Sequence, residues 1–271
     1  MLNVAFAALA GVGAGSLGSM LGLGGGIFLV PLLDLGLGLP IENAKAISLV
    51  TVIATSNFVA LSSAGRKAAN PKLAVLLQAL AVAGALAGLQ VLDYVDARTH
   101  ELIFAGTALL VATVMVSRLN ARNVLPIGVT DVGLLGGRID DPDTGAEVAY
   151  RVKRVPLVLV VTFGAGVISS LAGVGGGVLV VPALNSWCGV PMRVAAATSA
   201  VVLGVTALPA VVDYYSRGFL TMPEMAAASV LGVLAGSRAG FLISARVRVR
   251  SLKILMAVIL AVVAAKYLLP H

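Results

Sequence analysis

Charge is scarce in this chain. Asp, Glu, Lys and Arg make up only 11% of its 271 residues, where an ordinary soluble domain carries about 25%. With 59% hydrophobic residues and a mean hydropathy of +1.03, there is too little polar material to coat a water-facing surface. Cysteine is nearly absent: Cys188 stands alone inside an apolar stretch, which excludes a disulfide framework and a cysteine metal site. Histidine occurs twice, as His100 in a short polar stretch and as His271. A Ser–His pair at depth is therefore not available, and no cluster of His, Cys and carboxylates has the spacing of a metal site. The residues predict a protein that is not an enzyme, with no cofactor and no metal ion.

What is present is apolar length. Leu73 to Leu92 runs without a charge, and Ala226 to Ala245 carries only Arg238. A membrane-spanning helix needs roughly 20 such residues. The net charge of +7 fits basic cytoplasmic loops better than nucleic-acid binding, because the chain has no basic domain large enough to fold. The apolar N-terminus has no basic leader region, so a cleaved signal peptide is not expected.

The chain also repeats itself. Gly13-Ala14-Gly15, Gly22-Leu23-Gly24-Gly25-Gly26 and Val30-Pro31 return as Gly164-Ala165-Gly166, Gly173-Val174-Gly175-Gly176-Gly177 and Val181-Pro182, at a constant offset of 151. Each copy reads as five apolar segments, at about 2–20, 27–39, 44–64, 71–92 and 101–119, then 156–172, 178–190, 194–215, 223–245 and 251–269. The expected fold is all-α and polytopic, with a transmembrane repeat over 1–119, a cytoplasmic linker over 120–155 and a second repeat over 156–271. The linker carries Asp140-Asp141-Pro142-Asp143-Thr144-Gly145, a turn signal. An internal repeat whose hydrophobic segments are broken at matching positions points to a transporter's substrate site.

Sidedness follows from Lys and Arg. If the short second segment returns the chain to its side of entry, fourteen cations fall on the linker's side and only Arg98, Arg217 and Lys266 on the other. If the first two segments make one crossing, the split is ten to seven. The positive-inside rule favours the first arrangement. The segment count per repeat is then odd, so the repeats are inverted, the linker is cytoplasmic and both termini lie outside.

In that arrangement each Gly cluster is a break between a re-entrant or discontinuous helix pair. Gly24, Gly25 and Gly26, and Gly175, Gly176 and Gly177, supply backbone that can reverse and lie close to a ligand. The short helices that follow begin with N–H groups lacking internal acceptors, at the positive end of the helix dipole. Two such ends aimed at one point bind an anion without a charged side chain. Hydroxyls at Ser48 and Thr51 in one repeat, and at Thr198 and Ser199 in the other, are candidate ligands; Ser48 and Ser199 match across the repeats. Each can equally bond the carbonyl one turn back. Arg238 is a candidate charge partner, with snorkelling as its ordinary alternative. Glu42 and Lys45 read as interfacial, and Asp213 as a boundary residue or a proton carrier. Gly13 to Gly18 fits a dinucleotide fingerprint only by chance, since no strand precedes it.

Gly22 to Pro31 followed by Ala44 to Ser48, with Gly173 to Pro182, Ala197-Thr198-Ser199 and Gly236-Ser237-Arg238-Ala239-Gly240, resembles the sulfite exporter family of the TauE/SafE type along the whole chain. The resemblance implies a multi-pass carrier of a small sulfur-containing anion such as sulfite or a sulfonate. The chain departs from the doubled pattern at Ile47, where the second repeat has Thr198, and its linker is long. The expected partners are that anion and the lipid bilayer, with no nucleic acid. A homo-oligomer and the coupling ion are left open. An anion channel and a non-transporting scaffold are the rival readings.

Overall fold

The structure, a computed structural model, describes residues 2–117, 132–140, 147–244 and 249–268. Most of the linker's turn signal, at 141–146, lies outside the described residues, as do Arg118, Arg122, Arg246, Arg248 and His271.

The first repeat forms α1 (Leu2–Leu21), α2 (Gly26–Leu37), α3 (Ile41–Leu61), a short α4 (Ser63–Ala68), α5 (Pro71–Val91) and α6 (Ala97–Ser117). The second forms α7 (Val155–Ala172), α8 (Gly177–Pro182) continued by a π turn (Ala183–Trp187), α9 (Met192–Ser216), α10 (Pro223–Ser244) and α11 (Val249–Leu268). Punctuation in the sequence explains the boundaries. Gly38, with φ +62, ends α2, while Pro40 and Pro191 precede α3 and α9. Pro71 occupies the first turn of α5, where its missing N–H has no consequence. Among the described residues, Leu2–Met20, Ile41–Leu61, Pro71–Val91, Val155–Ala172 and Met192–Ser216 have the length and hydropathy of membrane spans. The chain is therefore a mainly helical, multi-pass membrane protein, with exposed Leu and Val side chains along its outer faces.

Packing obeys the repeat. α1 lies on α10 as α5 lies on α7, α3 packs against α9, and α6 against α11. Directions can be read from the crowded glycines. Gly232 meets Ala8, Gly236 meets Val12 and Gly240 meets Ser16, so α1 and α10 run parallel. Val52 and Leu203 share neighbours, while Ser56 donates to the Ala200 carbonyl, so α3 and α9 run antiparallel. α2 doubles back along α1: Gly25 lies against Ala14, and Gly36 against Phe6.

The linker adds an element that the sequence reading did not include. β1 (Gly137–Asp140) pairs antiparallel with β2 (Glu147–Tyr150). This hairpin docks through Asn70, the N-cap of α5. The Asn70 side chain accepts from Leu73 N at 3.1 Å and donates to the Tyr150 hydroxyl at 2.9 Å and the Leu135 carbonyl at 2.8 Å. The Asn70 main-chain N–H donates to Thr198 Oγ1 at 2.9 Å. Burial pushes the Tyr150 phenol above its usual range, so it stays neutral beside the amide. Asn70→Ala should cost about 1–2 kcal/mol through the lost cap alone. A lowered melting temperature in detergent, accompanied by faster proteolysis of the linker, is the expected reading.

Candidate functional site

Both Gly clusters are buried, and both form turns that open a helix. In the first, Gly22, Gly24 and Gly25 have φ of +72, +72 and +80; in the second, Gly173 and Gly175 have +69 and +74. The caps correspond. The Gly25 carbonyl accepts from Phe28 N and Leu29 N, and the Gly176 carbonyl accepts from Leu179 N and Val180 N. One position differs: Gly176 sits in the right-handed helical region, at φ −66.

The two turns come together at the centre. A Cβ placed on Gly26 would lie 3.0 Å from the Val174 carbonyl oxygen of the opposite turn. Ser48 donates to the Gly173 carbonyl at 2.9 Å, tying α3 to the second turn. Val52 and Leu203, also 151 residues apart in sequence, fill the remaining space. A Cβ on Gly24 would meet Val52 Cγ1 at 3.1 Å and Leu203 Cδ1 at 3.2 Å, and one on Gly175 would meet the same two side chains at 3.1 and 2.9 Å.

The hydroxyls divide. Ser48 and Ser199 both face their own repeat's turn, at 2.7 and 2.9 Å from the Cβ positions of Gly26 and Gly177. The Ser199 hydroxyl is fully buried and makes no hydrogen bond among the described residues. Thr51 donates to the Ser48 carbonyl at 2.7 Å within its own helix. Thr198 is occupied at the Asn70 cap. Arg238 is not brought to the turns; it lies on the exposed side of α10, whose Gly236 and Gly240 face α1.

Of two further side chains, Lys45 departs from the sequence reading and Asp213 fits its boundary reading. Lys45, expected at an interface, is 1% exposed. A Cβ on Gly173 would lie 2.5 Å from its Cβ and Cγ, so the end of α7 closes over the stem. The corresponding contact in the first repeat is Gly22 against Ala196, which has no charge to bury. Asp213 accepts from Arg217 Nε at 2.7 Å, one turn along α9, as suits a helix end. The burial of Lys45 and the filling by Val52 and Leu203 leave no mark in local sequence. The offset of 151, applied to every residue near a Gly cluster, would have paired Val52 with Leu203 and exposed the mismatch of Lys45 with Ala196.

The geometry brings together the backbone of two Gly-rich turns, the Ser199 hydroxyl and the aliphatic side chains of Val52 and Leu203. Irregular backbone at membrane depth is tolerated where it is buried in protein or lines a cavity, and both turns are buried in protein. The profile of the sulfite exporter TauE/SafE family matches residues 7–267. The chain is 25% identical over 260 residues to the probable membrane transporter protein YunE of Bacillus subtilis (strain 168), covering 93% of each chain. No solved structure matches. With the profile running nearly end to end over a bundle of apolar helices, the chain belongs to the sulfite exporter TauE/SafE family of membrane transporters.

Proposed function

We propose that the chain is a secondary transporter that moves a small sulfur-containing anion, sulfite or a sulfonate, across the cell membrane. The solute binds at the bilayer midplane between Gly24–Gly26 and Gly175–Gly177. The observation that carries this reading is the meeting of the two turns, one from each repeat, around the same pair of side chains. Two helix starts there present N–H groups and partial positive charge to one volume. Ser199 adds a donor. An unsatisfied buried hydroxyl costs about 1–3 kcal/mol, and a solute oxygen would offset that cost. Ser48 already has the Gly173 carbonyl as acceptor.

In this reading the repeats, 1–119 and 156–271, are inverted in the membrane and are joined by a cytoplasmic linker at 120–155, with both termini outside. The antiparallel course of α3 and α9 supports it, as does the return of α2 along α1. The distribution of Lys and Arg supports the orientation. A thiol-reactive impermeant label on single cysteines in the linker and at either terminus tests it in intact cells.

Flux in proteoliposomes tests the transport reading. Saturable, gradient-coupled movement of sulfite or a sulfonate is expected. Ohmic conductance would mean a channel, and no flux of any sulfur anion would leave a scaffold. Within the site, Ser199→Ala should weaken transport while leaving the melting temperature unchanged or slightly raised. Ser48→Ala should instead lose about 1 kcal/mol of stability with its buried hydrogen bond. Equal behaviour of the two variants would remove Ser199 from the site.

A further inference from the structure

The four glycines nearest the junction, Gly24, Gly26, Gly175 and Gly177, have no side chains. The volume between the turns is filled instead from α3 and α9. Val52 lies against Gly24, Gly26 and Gly175; Leu203 lies against Gly24, Gly175 and Gly177. Each thus reaches across to the turn of the other repeat. Both are buried, at 0% and 1% exposure. They occupy equivalent positions in the two repeats, at the crossing of two antiparallel helices.

We propose that Val52 and Leu203 are the selectivity barrier of the pathway: the solute reaches the amides of the turns only by displacing these two side chains, and their size sets the largest anion carried. The inference rests on the transport reading and names the residues that decide its substrate class. Interiors are packed too densely for a solute and both side chains to share the volume between the turns. The same side chains present only carbon to that volume, and an apolar constriction excludes hydrated ions by dewetting. Leu203 is the larger of the pair, so the half of the junction that it fills is the tighter one. The favoured substrate is then a compact anion with one sulfur head group, and a sulfonate carrying an aromatic ring is excluded by size.

The test uses purified full-length protein in proteoliposomes, with sulfite, methanesulfonate and benzenesulfonate as probes. Leu203→Ala should raise benzenesulfonate uptake relative to sulfite by about tenfold, a change of about 1.4 kcal/mol in discrimination. Val52→Ala should do the same to a smaller degree, and the double variant should leak chloride. Unchanged relative uptake in folded variants would overturn the proposal. Because truncation can destabilise, a second measurement uses Leu203→Cys in a Cys188→Ala background. A water-soluble methanethiosulfonate reagent should modify this cysteine, and methanesulfonate, which does not react with the reagent, should slow the modification; a thiol that never reacts, with or without methanesulfonate, overturns the proposal. If wild-type protein moves none of the three anions, the transport reading fails. The labelling then still decides whether Leu203 faces an aqueous path.

Discussion

Gly25→Ala should reduce sulfite uptake by about ten- to a hundredfold, the scale on which small misplacements of a site are felt, whereas Gly176→Ala should leave uptake near the wild-type level. The sequence presents these residues as equivalents, 151 apart. Their backbones are not equivalent. Gly25 has φ +80, where an L-residue is disfavoured by about 1–2 kcal/mol. Its added Cβ would also lie 2.8 Å from the Ala14 carbonyl oxygen. That oxygen belongs to the α1 helix and cannot swing aside, so the turn must move. Gly176 has helical φ, and its nearest neighbour would be the Ala165 carbonyl oxygen at 3.1 Å, a tight contact that a small shift relieves. Leucine is too long for the space at either position, so Gly25→Leu and Gly176→Leu should both abolish uptake while the protein still reaches the membrane. Initial rates in proteoliposomes, normalised to folded protein by size-exclusion chromatography, check all four variants. Equal losses for the two alanine variants would show that the turns do not bind solute in the manner proposed.

The second large effect concerns the fold. Gly84→Leu should lose about 3 kcal/mol or more, at the upper end of ordinary overpacking. That corresponds to a melting temperature lower by about 6–12 °C in detergent, if the scaling for soluble chains of similar size holds. Its Cβ would lie 2.0 Å from the Phe163 carbonyl oxygen, so α5 and α7 must separate along their length. Small residues permit this approach, and lipid offers no hydrophobic force to restore contact once it is lost. The control is the residue next to Phe163 in sequence, and it is opposite in outcome. A Cβ on Gly164 meets nothing within 4 Å, and the same holds for Gly13 in the other repeat. Gly164→Leu and Gly13→Leu should therefore leave the melting temperature close to wild type. A fall at Gly164 equal to that at Gly84 would contradict the packing described for α5 and α7.

The contrast between Gly84 and Gly164 shows how far the sequence could be read. Both sit in glycine-rich apolar segments, and the repeat even singles out Gly13 and Gly164 by conserving them between its halves. Spacing alone cannot tell which glycine faces another helix and which faces outward. The same holds for the hydroxyls. Matching across the repeats raised Ser48 and Ser199 equally, but only the structure gives Ser48 an acceptor and leaves Ser199 without one. Thr198 shares that motif and is turned instead to the cap of α5, because the chain between α3 and α5 happens to pass it.

The number of apolar segments, their limits to within a few residues, the Gly-rich turn that precedes the second helix of each repeat and the membrane setting were all written in the chain. They arise from hydropathy summed over neighbours and from glycine and proline acting on their own backbone. The meeting of Gly26 with Val174, the wedge of Val52 and Leu203, the burial of Lys45 and the outward turn of Arg238 were decided only by tertiary structure. Three of these depend on residues more than 100 positions apart, and the last on which face of α10 turns to α1. Local propensity carries no information about such contacts, because they exist only once the helices have chosen their partners.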